Sequence, residues 1–496
     1  MALTPPTSRR LPGSEGITNA LAASRLGPGA VLFFVLSAAA PLTVVAGVIS
    51  TGYAVTGITG LPIAFLVVGV VLAVFAVGYV AMARKIANAG AFYTYITHGL
   101  GRPAGVAAAW VALLTYNTLQ VGLYGGIGAA AAPLLEQWLG LTVPWWVFAL
   151  VSWALVGWLG LARVDINGKV LATLLSGEVV VIVIFDLAGL FHPAADFALS
   201  SLSPAGLAVP GVGALLVIAV LGFVGFEASV VYSEESRDPE RTVPTATYTA
   251  IGLIAALYAL SAWAMQVATG PGRIIEVARR DGAETIFVIA AAHLSPLLID
   301  IARVLFVTSV FAAMLAVHNT TARYFFALGR EGVLPVAFGR TVPRTGAPRA
   351  GSLLQSGIGL LVILVWALFA WDPVVSLFFA GGTLGGLGVL VLTTATAFSV
   401  VAYFRRNPGD VSAARRLWAP LAAAVALTVT LWLAVTNVST LLGVPDSDPL
   451  VWILPSAYAV AAAFGFVWAL GLRMTRPDVY SQVGLGATAQ HTGTPR

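Results

Sequence analysis

Apolar residues run along this chain in long stretches, separated by short segments that hold most of the charges and many of the prolines. Each stretch is near or above the roughly 20 residues that cross about 30 Å of hydrocarbon, which predicts membrane-spanning helices. Twelve can be marked: 29–50, 61–84, 103–133, 144–162, 170–190, 211–232, 246–268, 297–326, 351–371, 374–403, 417–438 and 449–472. Two of them are interrupted. The first carries Ser37-Ala38-Ala39-Ala40-Pro41-Leu42-Thr43, where Pro41 removes a backbone donor and crowds the preceding turn. The sixth carries Gly222-Phe223-Val224-Gly225-Phe226-Glu227, two glycines and a carboxylate at mid-depth. Either alone also fits a proline kink or a small-residue helix contact. Together they lie five spans apart, and an odd repeat length inverts the second unit relative to the first. Interrupted helices at matching places in inverted halves point to a transporter site at the bilayer midplane.

Composition supports a membrane protein and narrows its chemistry. With 59% hydrophobic and 9% charged residues in 496, the chain belongs in a bilayer. The net charge of +5 would allow a nucleic-acid partner, but the basic residues cluster in short loops, as membrane topology requires. Of the 26 lysines and arginines, all but Arg273, Arg279, Arg280 and Arg303 fall toward one side; examples are Arg9, Arg84, Lys85, Arg163, Lys169, Arg241, Arg330, Arg405 and Arg416. An even span count puts both termini on that side, which the charge bias makes cytoplasmic. The stretch before Gly27 is polar and lacks a signal-peptide pattern, so it reads as a cytosolic tail. Arginine's excess over lysine fits a GC-rich bacterial genome, and the expected location is the plasma membrane.

Cysteine is absent, which removes disulfides, thiolate metal sites and thiol redox chemistry. No G-x-x-x-x-G-K-[ST] loop is present, no histidine sits in H-E-x-x-H, and no convergent nucleophile and base stand out. An enzyme is therefore not expected, nor a cofactor or a metal. Transport would run on an ion or solute gradient. The implied partners are a small-molecule substrate, protons or another coupling ion, and the lipid bilayer, with no nucleic acid.

The sixth-span segment, followed by Glu234-Glu235-Ser236-Arg237-Asp238-Pro239-Glu240-Arg241-Thr242-Val243-Pro244, resembles the sixth-helix signature of the amino acid–polyamine–organocation (APC) superfamily of permeases. Ala89-Gly90-Ala91-Phe92-Tyr93-Thr94-Tyr95 resembles its motif after helix two. The segment from Asn319 to Arg323, with Gly329-Arg330-Glu331-Gly332-Val333-Leu334-Pro335, resembles the end of helix eight. Gly381-Gly382-Thr383-Leu384-Gly385 with Tyr403-Phe404-Arg405-Arg406 resembles helix ten. The resemblance covers about 27 to 475. It implies an all-α membrane fold of twelve helices, a five-plus-five inverted repeat with broken helices one and six plus two peripheral helices. The divisions become a tail 1–27, repeats 28–205 and 206–408, a peripheral pair 409–475 and a tail 476–496. It also implies alternating access and uptake or exchange of amino acids or related amines. This chain departs from the family in two places. Ala38-Ala39-Ala40-Pro41 replaces a glycine-rich first-helix motif, and Glu178 stands where several proton-coupled relatives carry a lysine.

The candidate site residues follow from the two interruptions. The half-helix after Pro41 presents free amides that suit a carboxylate, and the first halves of helices one and six end in carbonyls that suit an ammonium. Substrate binding is thus expected at Ala39, Ala40, Pro41, Leu42 and Thr43, and at Gly222, Phe223, Val224, Gly225, Phe226 and Glu227. Phe223 and Phe226 either close over the substrate or pack in the bundle. Glu227 either meets a cationic substrate or holds the broken region by hydrogen bonds. Glu178, mid-span, is the candidate for proton coupling, against a structural role between helices; hydrocarbon penalises its charged form. The run Glu234, Glu235, Arg237, Asp238 and Arg241 is a solvated loop or an inward lock. Asp300 and Arg303 are spaced to pair on one helix face. Asp186 is expected to snorkel to water, and His318 to make a helix contact or relay protons. Thr308-Ser309 and Thr320-Thr321 offer hydroxyls for sodium. A proton-coupled amino acid symporter is the leading reading, with an exchanger or a sodium symporter as its rivals.

Overall fold

The computed structural model describes residue 21 and residues 26–486 except 87, 163, 196, 198 and 410, with backbone only for 164–171. Most of the expected N-terminal tail, Arg9, Arg163 and residues 487–496 lie outside the described residues. The fold is helical; among the described residues the strand-like features are isolated bridge positions, one of them a parallel bridge between Leu26 and Ser236.

The first apolar run forms α1 (Pro28–Ala39) and α2 (Pro41–Thr43), the latter passing through a π-helical stretch, Val44–Ile49, into α3 (Ser50–Thr56). There follow α4 (Leu61–Ala83), α5 (Ala91–Leu100), α6 (Arg102–Leu139), α7 (Trp145–Gly160) and α8 (Val164–Phe191). The next run gives α9 (Val212–Gly222) and α10 (Ala228–Val231), then α11 (Pro239–Thr269), α12 (Ile274–Asp281), α13 (Thr285–Ala291) and α14 (Pro296–Arg330). The chain ends with α15 (Arg349–Leu368), a π-helical Val374–Phe379 leading into α16 (Ala380–Arg406), α17 (Ala419–Thr436), α18 (Val438–Leu442), α19 (Leu450–Thr475) and α20 (Pro477–Gln482).

Among the described residues, ten helical runs are long and apolar enough to cross a bilayer, with Pro28–Thr56 taken as one. Apolar α7 and α9 are shorter, 16 and 11 residues. α9 is short because its run stops at the glycines expected to break it. Val70, Trp158, Leu361, Val425 and Trp432 are exposed around the bundle. Apolar surface on that scale suits lipid contact in a multi-pass membrane protein.

One boundary and three short helices differ from the hydropathy pattern for local reasons. α11 begins at Pro239, well before the apolar run at 246, because the Asp238 side chain accepts the Arg241 amide at 3.3 Å and proline suits a first helical turn. α5, α12 and α13 were not foreseen, since at ten residues or fewer they are too short to read as spans.

α6 is the spine of the bundle, packing on α14, α16, α19, α5 and α7, while α4 packs on α11, α17 and α9. At the α6–α16 crossing, a Cβ on Gly381 would lie 2.7 Å from the Thr118 carbonyl oxygen and 2.9 Å from the Gly122 Cα. Only small residues permit such an approach. It brings Val374–Phe379 against the broken first span.

Candidate functional site

Ala40 takes a left-handed conformation, φ 45° and ψ 70°, and ends α1. A proline disfavours right-handed helix in the residue before it, so Pro41 places the break one residue upstream. A non-glycine residue there costs roughly 1–2 kcal/mol, a strain characteristic of functional segments. The second break covers 223–227, with Gly225 at φ 112°. The two breaks touch: a Cβ on Gly225 would fall 2.7 Å from the Ala38 Cβ and 2.9 Å from the Ala39 nitrogen.

Beside them lies a cavity of ≈ 110 Å³. Ala39, Ala40, Thr43 and Val224 line it from the breaks, and Leu119, Ile218, Leu221, Val317 and Phe378 form much of the remaining wall. Two of the three π-helical stretches among the described residues contribute, through Gly47 and Val48 and through Phe378 and Phe379, while the third, Ala414–Trp418, does not line the cavity. Such stretches, rare elsewhere, recur at functional sites. The cavity continues past Thr51 and Val55 to Leu441.

Two buried carboxylates support the breaks from behind. Glu178 Oε2 accepts a long bond, 3.5 Å, from the Leu42 amide. Ser309 Oγ accepts from the Thr43 amide at 3.2 Å and from the Thr43 hydroxyl at 3.0 Å. The leading amides of the half-helix after Pro41 are therefore engaged by side chains of α8 and α14. Glu227 is fully buried; Oε1 accepts from the Tyr116 hydroxyl and Oε2 from the Gly225 amide at 2.9 Å. The Tyr79 hydroxyl donates to the Glu227 carbonyl at 3.2 Å, and Tyr258 to that of Ala39 at 3.0 Å.

Buried ion pairs tie the helices together where the continuously described chain begins, at Leu26, and where it ends, near Gly486. Arg323 Nε donates to Glu235 Oε1 at 2.6 Å, with the two side chains 5% and 1% exposed. The Arg323 guanidinium lies 4.6 Å over the Tyr232 ring, which stacks on Phe34 at 4.4 Å. Arg330 makes two 2.7 Å bonds to Glu234, whose Oε1 also accepts the Ala89 amide. The Leu26 amide donates to the Glu235 carbonyl, and the Arg237 amide to the Leu26 carbonyl. Glu331 accepts the amides of Gly484 at 2.8 Å and Gly486 at 2.9 Å, fixing the C-terminal segment to the same surface. Burial raises the Glu331 carboxyl above its ordinary value.

Of the predicted site residues, Ala39, Ala40, Thr43 and Val224 face the cavity. Pro41, Leu42, Gly222, Gly225, Glu227 and Glu178 belong to the breaks or their supports and do not line it. Phe223 and Phe226 are buried against Phe65 and Phe75, at centroid distances of 6.3 and 6.1 Å, so they pack in the bundle. Asp186 corrects the snorkelling expectation. It is 1% exposed and accepts from Ser261 at 2.8 Å, because α11 and α13 cover that face of α8. His318 is a helix contact, 2.7 Å from Ser352 Oγ. Arg303 lies 3.8 Å from Asp300 and closer, 2.8 Å, to Glu284. The hydroxyls of Thr308 and Thr321 bond carbonyls of their own helix. Within the charged run, Glu234 and Glu235 turn inward to arginines, while Arg237, Asp238 and Arg241 are exposed.

Sequence reasoning missed the supports Tyr116 and Tyr258 and most of the cavity wall. Tyrosines within apolar spans were the available signal, since a buried hydroxyl needs a partner.

A cavity beside two touching helix breaks, inside a lipid-facing bundle, defines a multi-pass membrane protein of the carrier class. The chain belongs to the amino acid permease family, whose pattern matches residues 30–482. It is 27% identical over 294 residues to a γ-aminobutyric acid permease of Escherichia coli, covering 57% of this chain and 61% of that one. It is 23% identical over 414 residues to the low-affinity putrescine importer PlaP of the same species, covering 80% and 85%. An L-asparagine permease of Streptomyces coelicolor is 24% identical over 316 residues, covering 61% and 62%. The matches to the first and third relatives thus span less than two thirds of those proteins.

Proposed function

We propose that the protein is a secondary active transporter that carries amino acids across the plasma membrane by alternating access, with a proton as the coupling ion. On this reading the chain crosses the membrane twelve times, α7 and the α9–α10 pair completing the ten long spans. Repeats 28–205 and 206–408 are inverted halves, 409–475 is peripheral, and the side holding both chain ends is cytoplasmic. The relatives' names support a small amine-bearing substrate. The observation that carries the reading is the meeting of two broken helices beside a cavity, with Glu178 against the first break.

The substrate ammonium would face the carbonyl ends of α1 and α9, and its carboxylate the half-helix after Pro41. Residues 39–43 and 222–227 form or support that region. Because the Leu42 amide already serves Glu178 at 3.5 Å, an arriving carboxylate competes for it. Glu178 gives up that bond as it takes a proton, and the proton travels with the substrate. Opening of the Arg323–Glu235 and Arg330–Glu234 pairs releases both inward. Glu178 then loses its proton and recovers the amide.

Uptake into proteoliposomes under an inward proton gradient tests this scheme. Glu178→Gln should keep substrate binding and counterflow but lose gradient-driven accumulation. A variant that still concentrates substrate in response to the gradient removes Glu178 as the coupling group.

A further inference from the structure

We propose that the cargo is a zwitterionic α-amino acid with an uncharged aliphatic side chain, from alanine up to the leucine size. This rests on the transport reading above and adds the class of side chain. Relatives named for putrescine, γ-aminobutyrate and asparagine would differ from this chain in that respect.

The cavity wall carries the inference. Leu119, Leu123, Ile218, Leu221, Val317 and Phe378 face the space, and among the described residues no ionisable one lines it. Its side-chain polar atoms belong to three threonines, Thr43, Thr51 and Thr383. The Thr43 hydroxyl donates to Ser309, and that of Thr51 to the Gly47 carbonyl at 2.6 Å. A substrate carboxamide would find few partners there, and an unpaired buried polar group opposes binding. A side-chain ammonium would find no counter-charge, which is costlier still.

The buried acids that might supply one are engaged elsewhere. Glu227 uses its two oxygens on Tyr116 and Gly225, Glu178 lies on the Leu42 amide, and Asp186 borders a separate cavity of ≈ 10 Å³. The terminal ammonium of putrescine or γ-aminobutyrate would extend into hydrocarbon. The space beside the breaks is modest: an enclosed apolar cavity of about 150 Å³ accepts benzene, and ≈ 110 Å³ in this cavity, which is open at one end, matches a branched side chain of three or four carbons.

Gly382 offers a handle on that space. It lines the cavity, and a Cβ there would meet only Leu221 Cδ2, at 3.8 Å. One methylene in an apolar pocket changes discrimination by roughly tenfold or more. Gly382→Ala should therefore lower uptake of leucine relative to alanine by about tenfold, and Leu221→Ala should admit phenylalanine or methionine. The experiment measures proteoliposome uptake of leucine, isoleucine, valine, alanine, asparagine, arginine, γ-aminobutyrate and putrescine by wild type and both variants. The expected wild-type order places leucine, isoleucine and valine at least tenfold above asparagine, arginine, γ-aminobutyrate and putrescine. An order led by any of those four overturns the side-chain class and leaves the transporter reading standing. No uptake of any compound overturns both. If Gly382→Ala does not fold, Leu221→Ala alone decides: an unchanged size preference overturns the assignment of the wall.

Discussion

The Glu227 carboxylate accepts the Tyr116 hydroxyl at 2.8 Å and thereby ties the second helix break to α6. Its other oxygen accepts the Gly225 amide inside the break itself. Glutamine offers one acceptor oxygen for these two donors, so Glu227→Gln leaves one donor unpaired in a buried site. The cost is about 1–3 kcal/mol. Thermal unfolding of the purified variant should shift down accordingly, and transport of neutral and cationic compounds should fall in equal proportion. A loss confined to cationic compounds would place the carboxylate against the cargo instead.

Gly225→Ala meets two obstacles at once. The residue holds φ at 112°, and the new methyl would collide with Ala38 and Ala39. Overpacking costs about 1–3 kcal/mol, with backbone strain in addition. A reduced unfolding temperature together with lost ligand-induced stabilisation is expected. Normal values for both would show that the breaks can separate without consequence.

Glu235→Gln addresses the proposed closure of the side that holds the chain ends. Removing one partner of a buried ion pair costs about 3–5 kcal/mol, because the remaining charge is left uncompensated. That penalty falls on the closed conformation, so the population should shift toward opening on that side. The chain contains no cysteine, and Ser233, 1% exposed, can carry a unique thiol as Ser233→Cys. An impermeant maleimide should label it slowly in the parent and rapidly alongside Glu235→Gln. Equal labelling rates would remove the pair from the closure.

Glu331 gives a pH dependence of defined sign. Burial raises its carboxyl above the ordinary value, while the amides of Gly484 and Gly486 and the Arg330 charge act the other way. Tyr93 and Asn88 also face it. A raised folded value means that the native state binds the proton more tightly than the unfolded chain. The stabilisation is complete below the unfolded value, about 4.3 for glutamate, and is lost as pH rises through the folded value. Its slope cannot exceed about 1.4 kcal/mol per pH unit. Unfolding scans from about pH 4 to 8 should show wild type losing stability relative to Glu331→Gln as pH rises. A constant difference would refute the linkage.

Much of this arrangement was legible because the bilayer imposes simple rules. Apolar length marked the spans, and Pro41, Gly222 and Gly225 marked the interruptions, since few other residues tolerate such backbone. What escaped depended on direction. Around an unwound turn there is no 3.6-residue period, so nothing in the sequence could say that Phe223 and Phe226 turn into the bundle while Val224 faces the cavity. Hydropathy likewise does not report which face of a helix is covered, which is why Asp186 was sent to water. The pairing of Arg323 with Glu235 spans 88 residues of chain, and only the tertiary packing of α14 beside the turn that follows α10 brings them together.

The burial of Arg323 and Glu235 has a consequence for life in a changing medium. At about 0.1 M salt, fields between exposed charges fade over about 10 Å, and a pair such as Arg280–Asp281, with its arginine 66% exposed, is weakened accordingly. Mobile ions do not reach a pair whose side chains are 5% and 1% exposed. When osmotic stress concentrates the ions around the protein, surface contacts loosen while this clasp keeps its strength. The contact between α14 and the turn after α10 is thereby less sensitive to osmotic swings than the surface pairs.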